Sequence, residues 1–111
     1  MKTFLALYMG SGLPDAATPL SEAVIAKGMA AWGGWMTQHA ADIVTTGGPL
    51  GKTKQVSPKG VADIRNKVTG FVVVKAESHE AAAKMFENHP SFAIFPGESV
   101  EIMEQLPIPG A

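Results

Sequence analysis

With 111 residues, 46% of them hydrophobic and 17% charged, the chain fits one globular domain spanning residues 1–111 around a single modest core. A formal charge of −1, with acids and bases interspersed, excludes a basic stripe for nucleic acid and a polybasic patch for a membrane. The absence of cysteine excludes disulfides, thiolate catalysis and Cys-based metal sites, and a cytoplasmic address fits it.

The opening "MKTFLALYMG" resembles a leader, but its apolar run is shorter than a leader requires, so "KTFLALYM" (2–9) reads as a strand. The "GSGLPD" that follows marks a loop. Thr18 is placed to cap a helix, Pro19 suits its first position and Glu22 favours the positive end of the dipole. Ile25, Met29, Trp32 and Met36 then recur at helical spacing, which predicts the buried stripe of a first helix. Within "AAWGGWMTQHA" (30–40), two glycines stand between two tryptophans, although glycine inside a helix costs about 1 kcal/mol relative to alanine. On the wheel Gly33 borders the stripe and is expected to admit a neighbouring backbone beside Trp32. Gly34 points nearly opposite, without a packing role.

"DIVTTGGPLG" (42–51) reads as a strand entering a tight turn, and residues 52–69 as a polar hairpin or loop excursion holding much of the positive charge. "GFVVVKA" (70–76) is a strand. Ser78 caps a second helix, "HEAAAKMFENH", with Ala82, Met85, Phe86 and His89 on one side and Pro90 ending it. "SFAIFPG" (91–97) is a loop, "ESVEIMEQL" (98–106) alternates like an outer strand, and residues 105–111 form an extended tail.

This order fits an α+β, ferredoxin-like β-α-β-β-α-β sandwich, an antiparallel sheet with both helices on one face. Its central strands are the first and the "GFVVVKA" strand. Both are apolar on both faces: Phe4 and Tyr8 oppose Leu5, Leu7 and Met9, and Phe71 and Val73 oppose Val72 and Val74. Leaving about four such side chains in water forgoes roughly 6–12 kcal/mol. A homodimer joined through the helix-free sheet face is therefore expected.

Several residues have the chemistry of a site. "TGGPLGKT" (46–53) looks like a phosphate loop, but Thr46 stands where the motif needs glycine and no helix follows, so it reads as a turn. His39 and Asp42, three apart, have the spacing of an acid–base pair. The same residues also suit a helix C-terminus, with His39 complementing the dipole and Asp42 opening the loop. His79 and His89 read as surface or capping residues, and the three histidines share no ligand spacing, so no metal is expected. Glu98, Glu101 and Glu104 alternate faces and cannot form a close carboxylate pair. Trp32, Trp35, Met29 and Met36 can wall an apolar pocket against the sheet, with Tyr8 as its polar handle, although such a stripe also reads as core packing. No cofactor is expected.

The segments "AAWGGWMTQHAADIVTTGGPLGKTKQVS", "GFVVVKAESHEAAAKMFENHP" and "ESVEIMEQLPIPG", in this order and spacing, resemble the YCII-related family in its DGPF-domain branch. The resemblance covers nearly the whole chain and implies a dimeric α+β barrel. It also implies a pocket between the sheet and the first helix holding a His–Asp pair. Here the family histidine falls near Ala31 and Trp32, and the Asp-Gly-Pro-Phe signature reads Gly47-Gly48-Pro49-Leu50, so its aspartate has become Gly47. The expectation is therefore a dimeric module binding a small apolar or amphipathic ligand, or a protein partner, with Tyr8, Trp32, Trp35, Met36, Gly48 and Pro49 at the site. The alternative is a small enzyme using His39 and Asp42.

Overall fold

The computed structural model describes residues 1–10 and 20–110. Strand β1 (Lys2–Met9) alternates strictly, with Phe4, Ala6 and Tyr8 buried under the helices and Leu5, Leu7 and Met9 facing the other way, half-buried. Strand β5 (Val68–Ala76) repeats the pattern, with Val72, Val74 and Ala76 inward and Phe71 and Val73 outward. With β2 (Ile43–Pro49) and β6 (Ser99–Glu104) they form an antiparallel sheet of order β2-β5-β1-β6. The two strands that are apolar on both faces occupy the centre, as expected. The helices cover one face only. On the other, Leu7 lies opposite Phe71, and Leu5 lies between Val73 and Met103, which makes a continuous apolar band.

Between β2 and β5 the chain leaves the sheet as a separate two-stranded hairpin, β3 (Thr53–Ser57) and β4 (Gly60–Ile64), where the polar excursion was expected. Nearly all of its residues are exposed. Val56 faces Val61, and Lys54 pairs with Asp63 at 2.7 Å. "TGGPLGKT" is the end of β2, a turn and the first residue of β3, so the phosphate-loop likeness has no helix behind it.

Helix α1 (Glu22–Gln38) is capped by Ser21, whose side chain accepts from the Val24 N–H. Thr18 and Pro19, read as the cap and first turn, lie outside the described residues. The buried seam is also rotated from the expected stripe. Gly28 and Trp35 are buried, with Val24, Ala31 and Trp32 beside them, whereas Ile25 and Met29 are 42% and 62% exposed. The expectation for Gly33 fails with it. A Cβ at Gly33 or Gly34 would meet nothing within 4 Å, while one at Gly28 would lie 2.4 Å from the Phe95 ring. The glycine that admits a neighbour is Gly28, and the neighbour is a side chain. Nothing in the structure explains the pair at 33 and 34.

Ser78 caps α2 (His79–Met85) as read, accepting from the Ala81 N–H. The helix stops four residues before the expected end, and Asn88 turns the chain at φ 56°. Pro90 begins a short helix, α3 (Pro90–Ala93), instead of ending the previous one. Proline lacks an N–H, but a first helical position needs no such donor, and its fixed φ suits the start. His89 is the N-cap, its ring accepting from the Ser91 N–H. The core gathers Phe4, Ala6, Tyr8, Trp35, Val72, Val74, Ala82 and Phe86 between the sheet and the helices. No helix among the described residues is long and apolar enough to cross a membrane.

Candidate functional site

Where β1 ends and β5 begins, Tyr8, Gly70 and Pro49 stand in one row across three strands. Gly70 is close under its neighbours: a Cβ there would lie 3.1 Å from the Gly48 carbonyl oxygen and 3.3 Å from Cδ2 of Tyr8. The glycines thus keep the end of the sheet flat, and Trp32 of α1 closes over it, its ring edge-on to Tyr8 at 4.9 Å. The result is a half-open cleft of about 320 Å3 walled by Tyr8, Trp32, Met29, Pro49 and Phe71, with the hydroxyl-bearing Thr46 and Thr69 at its margin. Gly48 also lines it. Among the described residues no charged side chain does. A second depression of about 330 Å3, between Phe86, Phe92 and Ile102, is more open and has Glu87 and Glu98 at its rim.

Four of the residues read as ligand-binding therefore meet at one cleft: Tyr8, Trp32, Gly48 and Pro49. Trp35 and Met36 do not line it. Trp35 is 7% exposed, donates its indole N–H to the Met85 carbonyl at 2.7 Å and packs on Phe86, so it ties α1 to α2 from inside the core. Met36 packs against that core. Met29, read both as part of the buried stripe and as a pocket wall, is exposed and lines the cleft.

The reading of His89 as a surface or capping residue holds only for capping, because the ring is 0% exposed. It is caged by Tyr8, Trp32, Trp35 and Phe86, with ring centroids between 4.7 and 5.7 Å away. Ser91 presents its backbone N–H and its hydroxyl to Nδ1, each at 3.0 Å. A nitrogen that accepts an N–H carries no proton, so the hydrogen-bond network assigns the ring proton to Nε2. Nε2 lies 3.5 Å from the Tyr8 hydroxyl, a long contact. Burial pushes His89 down to about 4, with the neighbouring charge of His39 adding to the shift. Burial also pushes the Tyr8 phenol up to about 12, against the opposing hydrogen bond from Trp32. Both groups are neutral at pH 7. The signal available for His89 was the pair His89-Pro90 read as a cap followed by a first-turn proline.

His39 and Asp42 meet through the backbone, where the Asp42 N–H donates to the His39 carbonyl at 2.8 Å in the 3-10 turn that follows α1. Their side chains share no hydrogen bond among the described residues, and the His39 ring lies on Trp35 at 4.8 Å. His79 sits on the Phe4 ring with Nε2 2.8 Å from the Ile102 carbonyl. Glu98 and Glu104 are drawn apart, to Lys67 and Lys2. Among the described residues no cluster of His, Asp and Glu has the form of a metal site. At Gly47, φ is +64° and a Cβ would lie 2.0 Å from the Phe71 carbonyl oxygen. The family aspartate would not fit this backbone.

No family model and no curated protein matches the chain. Among solved structures, it is similar to 5-chloro-2-hydroxyhydroquinone dehydrochlorinase from Burkholderia phenoliruptrix AC1100, in complex with 2,5-dihydroxybenzoquinone. The TM-score is 0.57 at 21% sequence identity, over 94% of this chain and 93% of that one. The likeness is one of fold: α+β, an antiparallel sheet with helices on one face.

Proposed function

We propose that this chain is a small-ligand-binding domain of the YCII-related type, and that its cleft takes a planar, largely apolar compound of about one ring. The observation that carries this reading is the cleft itself. Its walls are the rings of Tyr8 and Trp32 with Met29 and Pro49, Gly70 lies close under its neighbours at the floor, and no charged residue lines it among the described residues. Its volume lies at the small end of the range for ligand pockets. The dehydrochlorinase of similar fold holds a planar one-ring compound, which accords with this ligand class. Binding is preferred to acid–base catalysis by His39 and Asp42, because those two residues meet only through the backbone.

The domain works as a homodimer in this proposal, two sheets stacked over the band formed by Leu5, Leu7, Phe71, Val73 and Met103. Half-buried apolar side chains at the centre of a sheet are the surface that a second sheet covers best.

A thermal-shift screen with single-ring aromatic compounds tests the binding. A compound at about a hundred times its Kd stabilises the fold by about 2.7 kcal/mol. Met29 supplies the control. It lines the cleft and is 62% exposed, so Met29→Glu puts a charge on the cleft wall without burying it in the core. Hits that raise the melting temperature of the wild type and leave that of Met29→Glu unchanged support the cleft. Hits that shift both equally refute it.

A further inference from the structure

The cleft has no charged lining among the described residues, yet one of its walls, Tyr8, carries a hydroxyl that faces Nε2 of His89. We propose that the Tyr8 O–H is the hydrogen-bond donor that orients the ligand, and that the cleft therefore selects planar compounds carrying a neutral acceptor oxygen, a carbonyl above all. The inference rests on the reading of the cleft as a ligand site.

The Ser91 N–H and hydroxyl fix Nδ1 of His89 as the acceptor, and the ring proton therefore faces Tyr8. The phenol oxygen, facing that N–H, takes the acceptor role toward the protein. Its own proton has no protein acceptor among the described residues and is available to a ligand. His89 is a positioning residue here. Its ring is held on four sides by Tyr8, Trp32, Trp35 and Phe86, so the direction of its N–H is fixed. An anionic oxygen would find no cation among the lining residues, whereas a carbonyl asks for one donor and flat apolar walls.

Tyr8 is the only tyrosine in the chain, so a single labelled carbon reports on it. With tyrosine labelled by carbon-13 at Cζ, acetophenone and α-methylstyrene are titrated into the wild-type protein. The two share ring and shape and differ in C=O against C=CH2. Acetophenone is expected to move the Cζ resonance differently from α-methylstyrene. Tyr8→Phe is expected to weaken acetophenone about three- to tenfold relative to α-methylstyrene. The nitrogen-15 spectrum of His89, assigned by its loss in His89→Gln, is expected to show the proton on Nε2. Equal Cζ shifts with both compounds, or a proton on Nδ1, overturn the donor assignment while the cleft keeps its ligand role. Failure of both compounds to bind overturns the cleft reading and the donor with it.

Discussion

Protonating His89 attacks the centre of the molecule. The ring is wholly buried, four aromatic neighbours exclude water from it, and the nitrogen that would receive the second proton already accepts from Ser91. Its titration falls from the ordinary 6.5 to about 4 on folding, which at 1.36 kcal/mol per unit corresponds to about 3 kcal/mol. The sign follows from the unfolded chain binding the proton more readily. Stability is full above the unfolded value of 6.5 and declines as pH drops toward the folded value of about 4. A loss of about 3 kcal/mol is a large share of the 5–15 kcal/mol that holds a typical domain together. Urea unfolding followed by tryptophan fluorescence at roughly pH 7.5, 5.5 and 4.5 measures the decline. In His89→Gln, which cannot take the proton, the same pH series is expected to lose less by that amount, although the variant starts lower. Parallel declines in both proteins would refute the reasoning.

Gly33→Ala and Gly34→Ala each stabilise the fold by about 0.5–1 kcal/mol, because both positions are exposed and open, whereas Gly28→Ala displaces the Phe95 ring and costs about 1–2 kcal/mol; thermal melts separate the two cases. Gly47→Asp, which introduces the aspartate of the Asp-Gly-Pro-Phe signature, destabilises by more than about 2 kcal/mol, since an L residue must adopt φ +64° with its Cβ against the Phe71 carbonyl; denaturant midpoints check it. Leu7→Glu puts a charge opposite Phe71 in the middle of the open band and is expected to convert the proposed dimer into monomers while the fold persists, read by light scattering and circular dichroism.

The sheet was legible because its signal is periodic in twos. Phe4 and Tyr8 against Leu5 and Leu7, and Val72 and Val74 against Phe71 and Val73, place β1 and β5 at the centre from the alternation alone. The first helix was harder, since almost every position from Ala23 to Met36 is apolar or small and the wheel has little contrast. Ile25 and Met29 look like core residues by size, but Gly28 and Trp35 fix the rotation, because only a missing side chain admits Phe95. The site was legible in part for a similar reason. Tyr8, Trp32, Gly48 and Pro49 stand out by type and lie near the ends of elements that converge. Phe71 and Gly70 reach the cleft through register, which no local pattern carries. His89 was missed because a polar residue before proline looks like surface, and its burial depends on four rings from three distant segments.

The hairpin of β3 and β4 has an electrical consequence. Residues 52–65 carry Lys52, Lys54, Lys59 and Arg65 against one acid, Asp63, so a formal net charge of −1 leaves the rest of the chain distinctly negative. The near-neutral total conceals a large permanent dipole, positive at the projecting arm. Such a molecule turns its arm toward any anionic surface, and in chromatography it adheres to a cation exchanger at a pH where its overall charge would have it pass straight through.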